Sequence, residues 1–118
     1  MRICHNKDEL TRFILEATLV SSEYPLTMSK FIEKAKEIEL DAVAQKGDMK
    51  AFVISEHVEN AGVHSGDATI VIPAQKIYIE TKNKIEQIAR KLAQSLKISG
   101  PFNIQFLAKD NVVSVIEI

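Results

Sequence analysis

Two residues near the end of the chain, Gln105 and Glu117, are best placed to do chemistry together. Segments 101–108 and 112–118 are rich in alternating apolar residues, the pattern of strands with one buried face. Phe102, Ile104 and Phe106 share one parity in the first strand, and Ile116 and Ile118 share one in the second. If all five face the core, Gln105 and Glu117 both point away from it. The simplest register then sets them directly opposite each other, with Cβ atoms about 5 Å apart. It requires an odd-length loop centred near Asn111. Two oxygen donors on adjacent strands suit Mg²⁺, which takes few ligands from protein and the rest from phosphates and water. By residue type alone, a plain solvated strand face is the commoner arrangement for such a pair.

Segment 60–69 is a second candidate. Gly62 and Gly66 allow the backbone to come close to a ligand, and His64, Ser65 and Asp67 supply donors and acceptors. It lacks the Gly-Lys-Ser/Thr ending of a Walker A loop. His57 and His64 match no familiar zinc spacing, and no cysteine stands near them. Ser65, His64 and Asp67 are too close in sequence for spacing to support a catalytic triad. The acidic run Glu33, Glu37, Glu39 and Asp41 reads as a solvated strand face.

The elements that position these residues follow from periodicity. Asn6 can cap a helix over residues 6–21, with Glu9 placed for a capping box. Over 35–44, Ile38, Leu40, Ala42 and Ala44 alternate with Glu37, Glu39 and Asp41, which predicts a strand. Lys46-Gly47-Asp48 supplies a turn into an antiparallel strand over 50–58, and a short strand over 68–72 is stopped by Pro73. A second helix over 80–97 carries Ile85, Ile88, Ala89, Leu92 and Leu96 as its apolar stripe. Lys97 suits its C-terminal dipole, and Gly100-Pro101 ends it. The fold class is therefore α+β with a mostly antiparallel sheet.

Bulk composition narrows the function. With 118 residues, 46% hydrophobic and 26% charged, the chain can build one modest core. Fifteen basic and 16 acidic residues give a net charge of -1, which offers no electrostatic case for nucleic acid or an anionic membrane. No apolar run approaches the roughly 18 residues of a membrane span. The single Cys4 cannot form an internal disulfide and fits a reducing compartment.

The same residues resemble a known family. Ser29-Lys30-Phe31-Ile32 and Ala35-Lys36-Glu37-Ile38-Glu39-Leu40-Asp41 are similar to the adenine-side strands of carbamoyl-phosphate synthetase large chains. Residues 54–69, with Gly62-Val63-His64-Ser65-Gly66-Asp67 at their centre, resemble the family's most distinctive stretch. Ile98-Ser99-Gly100-Pro101-Phe102-Asn103-Ile104-Gln105-Phe106 and Val115-Ile116-Glu117 extend the resemblance over nearly the whole chain, most weakly at 1–24 and 74–84. The Gly-Val-His-Ser-Gly-Asp form resembles the second of the two synthetase units. The first unit usually shows Gly-Ile-His-Thr-Gly-Glu at this place.

The resemblance implies an ATP-grasp fold, with residues 1–24 as the end of the small B subdomain and 25–118 as the large C-terminal lobe. It implies that ATP phosphorylates carbamate to carbamoyl phosphate, for pyrimidine or arginine biosynthesis. Lys30 and Ile32 would hold the adenine, and Glu37 the ribose hydroxyls. Gly62, Val63, His64 and Ser65 would contact the nucleotide, and Gln105 and Glu117 would bind Mg²⁺ or Mn²⁺. No residue is assigned as a covalent nucleophile. Implied partners are the rest of the large chain and a glutaminase domain or subunit, in the cytoplasm or alternatively the mitochondrion. Another ATP-grasp ligase, such as a biotin-dependent carboxylase, or a non-catalytic remnant serving as an interaction module, are the competing readings.

The family pattern continues past Glu117 to a further metal-binding Asn, and its glycine-rich phosphate-covering loop lies upstream of Met1, so the chain reads as a fragment. The isolated chain is expected to form no carbamoyl phosphate from ATP and carbamate in a coupled assay. It is expected to bind ATP weakly by calorimetry, and a submicromolar dissociation constant would contradict this.

Overall fold

A computed structural model describes residues 2–20, 25–63 and 65–118. The chain divides into two units, Met1–Ile32 and Glu33–Ile118.

In the first unit, helix α1 spans Lys7–Val20. Asn6 Oδ1 accepts the Glu9 N–H at 2.9 Å, and Glu9 Oε2 accepts the His5 N–H at 2.9 Å. This is the expected reciprocal cap, with Glu9 reaching one amide further back than the capping residue itself. The His5 N–H, the largest influence, holds the Glu9 carboxyl below its usual range. The Arg2 and Arg12 guanidinium groups lie 4.9 and 5.0 Å from the centroid of the Phe13 ring.

The second unit is one antiparallel sheet covered on one face by a helix. Its strands are β1 (Lys36–Gln45), β2 (Asp48–Asn60), β3 (Ile70–Val71), β4 (Gly100–Lys109) and β5 (Val112–Glu117), in the order β3-β2-β1-β4-β5. Helix α2 spans Ile79–Ser95. Ile38, Leu40 and Ala42 of β1 meet Ile54, Ile104 and Phe106 from its neighbours and Ile85 and Ala89 from α2, which forms the core.

The α2 terminus differs from expectation. Leu96 is the C-cap and is exposed, and Ala93 takes the buried place one turn earlier. Lys97 turns the chain at φ 52, and the Ile98 N–H bonds to the Ala93 carbonyl at 3.0 Å. A left-handed residue after the last turn is thus the stop signal. Gly100-Pro101 is not the stop and instead opens β4.

The last hairpin also departs from the simple alternation. Its turn is two residues, Asp110 and Asn111, at φ 51 and 61, which is the tight mirror-type hairpin turn rather than an odd-length loop. Phe106 pairs with Val115, yet Gln105 pairs with Glu117, so Ile116 is an extra residue in a bulge. Between the turn and the bulge the parity is therefore the reverse of that expected, with Val113 and Val115 opposite Ala108 and Phe106. Val113 packs against the core, while Ile116 and Ile118, expected inside, are 50% and 52% exposed. The turn is fastened to α2: Thr81 Oγ1 donates to Asn111 Oδ1 at 2.7 Å, and Lys84 Nζ donates to the Asn111 carbonyl at 2.6 Å.

The β1–β2 turn is Lys46-Gly47, with φ 52 and 85. The Gly47 N–H donates to the Ile98 carbonyl at 2.9 Å, and a Cβ at Gly47 would lie 2.9 Å from Gln94 Cα. Positive φ and this close approach both require glycine. Gly47→Ala is expected to lower the unfolding free energy by about 1–3 kcal/mol, read from urea unfolding. An unchanged midpoint would contradict the packing.

Candidate functional site

On the sheet face away from α2, alternation brings one polar row together. Ser55, Glu39, Gln105 and Glu117 are direct register partners across β2, β1, β4 and β5. Asp41 and Asn103 pair in the row on one side, and Glu37, Leu107 and Ser114 in the row on the other. Gln105 and Glu117 thus stand side by side on one face, as the register argument required, although a short turn plus a bulge produces the pairing.

Glu39 anchors the row. Its Oε1 lies 3.0 Å from His57 Nε2 and accepts from Gln105 Nε2 at 3.4 Å. Its Oε2 accepts from Asn103 Nδ2 at 3.4 Å, and that same nitrogen donates to Asp41 Oδ1 at 2.9 Å. A carboxylate that is ionised only accepts, which suits the amide donors of Gln105 and Asn103 on this one.

Here the expectation of a solvated acidic run needs correction. Glu33 and Asp41 are exposed, but Glu37 and Glu39 are only 7% and 9% exposed. For Glu39 the physical reason is that β1 is the central strand, with His57 and Ser55 of β2 buried on one side and Gln105 of β4 on the other. The Glu37 side chain makes no hydrogen bond among the described residues, so its carboxylate oxygens remain available to a ligand hydroxyl.

Gln105 is half-buried and Glu117 exposed. With Gln105 Nε2 turned to Glu39, the free donors of the pair are an amide oxygen and a carboxylate. Such donors fit a hard divalent cation that completes its shell from phosphate and water. Among the described residues no group of three or more His, Cys, Asp or Glu converges on one point.

The glycine loop enters from β2. Gly62 has φ 110, the left-handed conformation expected of it, and Val63 is exposed. Ser65–Asp67 form a 3-10 turn, while His64 lies outside the described residues. The loop's base is fixed by the Ala61 N–H on the Ala35 carbonyl and the Val58 N–H on the Thr69 carbonyl, both at 2.9 Å. Lys30 and Ile32 belong to the first unit, Lys30 exposed and Ile32 half-buried.

Sequence reasoning missed two polar residues of consequence. Asn103 bridges Glu39 and Asp41, and its place two positions before Gln105 was the available signal. Glu56 is buried on the opposite, core face, beside Ile38. Its Oε1 accepts the Gln75 and Lys76 N–H groups at 3.1 and 2.9 Å, clamping the segment that leads to α2.

Comparison with known proteins bears on this arrangement. The family model for the carbamoyl-phosphate synthase L chain, ATP binding domain, matches residues 1–118. The multifunctional protein pyr1-3 of Dictyostelium discoideum is 57% identical over 117 residues, covering 99% of this chain and 5% of that protein. The mitochondrial carbamoyl-phosphate synthase [ammonia] of Rattus norvegicus is 51% identical over 117 residues, covering 99% of this chain and 8% of that protein. The chain therefore spans a small part of these relatives. The D-alanine–D-alanine ligase from Bacillus anthracis complexed with ATP superposes with a TM-score of 0.63 at 21% identity, over 95% of this chain and 35% of that one. At that identity the likeness establishes the fold, which is ATP-grasp.

Glu59 ties the loop's two ends through its Oε2, which accepts the Thr69 N–H at 2.9 Å. That bond, the largest influence, holds its carboxyl below the ordinary 4.5. A depressed carboxyl contributes stability above its unfolded value and loses it as pH falls through the lower folded value. The Thr69 amide proton resonance is expected to titrate with a midpoint below 4.5, and to lose that step in Glu59→Gln. A midpoint at or above 4.5 would contradict the bond.

Proposed function

We propose, from the premise that the chain belongs to the family of carbamoyl-phosphate synthase L chain ATP-binding domains, that its polar sheet face is the nucleotide and metal half-site of the second synthetase unit. The reaction is phosphorylation of carbamate by ATP to give carbamoyl phosphate. The observation that carries this reading is the direct pairing of Gln105 with Glu117 on the sheet face away from α2.

Gln105 Oε1 and the Glu117 carboxylate would hold Mg²⁺ or Mn²⁺. When bound, the cation supplies charge neutralisation on the phosphate oxygens. The chain's own residues then chiefly bind and orient, which suits phosphoryl transfer, where positioning and electrostatics dominate. Glu37, nearly buried and without a protein partner among the described residues, accepts from the ribose hydroxyls. Gly62, Val63, His64 and Ser65 bring the loop to the nucleotide, and Lys30 and Ile32 hold the adenine. In this reading residues 1–24 end the small lobe and 25–118 form part of the large one. No side chain serves as a covalent nucleophile.

The second unit is favoured over the first by Gly62-Val63-His64-Ser65-Gly66-Asp67. A pyrimidine role is favoured over an arginine one by the likeness to multifunctional proteins such as pyr1-3. The working partners are carbamate, ATP, the remainder of the large chain and a glutaminase domain or subunit. The compartment is the cytoplasm, or the mitochondrion as for the rat relative. Among the described residues no helix is long and apolar enough to cross a membrane.

The test is the reverse half-reaction in the intact polypeptide: ATP formed from MgADP and carbamoyl phosphate. Gln105→Ala and Glu117→Ala are each expected to slow it by at least about 100-fold, while bicarbonate-dependent ATP hydrolysis persists. Loss of bicarbonate-dependent hydrolysis with the reverse reaction intact would place the chain in the first unit. Loss of neither would remove the pair from the site.

A further inference from the structure

A glutamine amide can present either its oxygen or its nitrogen to a given side, and only the oxygen can ligate a cation. Gln105 lies between two register partners, Glu39 on β1 and Glu117 on β5. Glu39 is nearly buried and, ionised, has only acceptor atoms to offer. The Gln105 NH₂ group therefore faces Glu39, with Nε2 at 3.4 Å from Oε1, which leaves the amide oxygen as the atom that Glu39 does not engage. Glu39 is itself fixed, because His57, 1% exposed, holds the same oxygen at 3.0 Å and Asn103 donates to the other at 3.4 Å.

We propose that Glu39 is a positioning residue: held by His57 and Asn103, it selects the amide orientation of Gln105 that turns the carbonyl oxygen toward the cation beside Glu117. This rests on the metal-binding reading of Gln105 and Glu117. Groups behind a metal ligand commonly fix its orientation, and their loss typically weakens metal binding about 10–100-fold. The same logic gives His57 a role one step further out, as the buried partner that keeps the Glu39 carboxylate from rotating.

The test measures Mn²⁺ affinity of the intact, ATP-loaded polypeptide by electron paramagnetic resonance. Glu39→Gln lets residue 39 present either an oxygen or a nitrogen to Gln105, so the orientation is no longer enforced. It is expected to weaken Mn²⁺ binding about 10-fold or more. The double variant Glu39→Gln with Gln105→Glu exchanges the two groups. Position 105 then carries a carboxylate, which ligates through either oxygen, and the amide at position 39 can donate to it. Mn²⁺ affinity is expected to return to near the parent value.

A merely structural role for Glu39 predicts no such rescue, and its absence would overturn the proposal. So would unchanged Mn²⁺ affinity in Glu39→Gln alone. Gln105→Ala separates the two levels. If it leaves Mn²⁺ affinity unchanged, the metal reading itself fails. If it weakens binding while Glu39→Gln does not, only the positioning role fails.

Discussion

A carboxylate withdrawn from water needs replacement partners, and Glu39 sits near the middle of the central strand. Its partners come from both neighbours, His57 on β2 and Asn103 and Gln105 on β4. That single requirement ties three strands into one register. A slip of one residue in β1 would carry Glu39 into the apolar layer of Ile38 and Leu40, and would put those two among the polar residues. The polar and apolar faces therefore enforce each other: the core beneath α2 fixes which residues face away from it, and the network on that far face fixes the pairing.

Three carboxylates on the first two strands show how burial and partners separate roles that residue type leaves alike. Glu56, on the core face, binds two backbone amides and holds the entry to α2. Glu39, on the other face, is surrounded by side-chain donors and organises its neighbours. Glu37 is slightly more buried than Glu39, and its side chain has no hydrogen bond among the described residues. A carboxylate that no protein donor engages is suited to a ligand that brings its own.

Much of this was legible in the residues, for reasons that also mark where legibility stopped. The alternation of β1, the Asn6–Glu9 cap and the glycine turn at 46–47 are local signals, and each appears where expected. The end of α2 was misjudged because Gly100-Pro101 is a strong breaker, whereas the actual stop is a lysine adopting a left-handed conformation. The exposed look of the acidic run failed because burial of Glu37 and Glu39 depends on which strands flank β1, and strand order is not a local property. The pairing of Gln105 with Glu117 emerged from parity, but the inward placement of Ile116 and Ile118 did not survive: the inserted residue sets Val113 and Val115, not the even-numbered residues, opposite the core face of β4, Ile116 is itself the bulge, and Ile118 lies past the end of the edge strand.

That inserted residue gives the edge of the sheet a form of slack. Removing Ile116 would let the ladder run flush from the Asp110-Asn111 turn, and the glutamate after it would still fall opposite Gln105. Removing a turn residue would displace that glutamate and also disturb the fastening of Asn111 to Thr81 and Lys84. The far end of β5 can thus vary in length by one and keep its two oxygen donors adjacent, whereas the near end cannot. Because a bulge also sharpens local twist, Glu117 approaches its neighbour from a strand already bending away from the plane of the sheet. The turn at the other end, by contrast, stays anchored to the helix through Asn111.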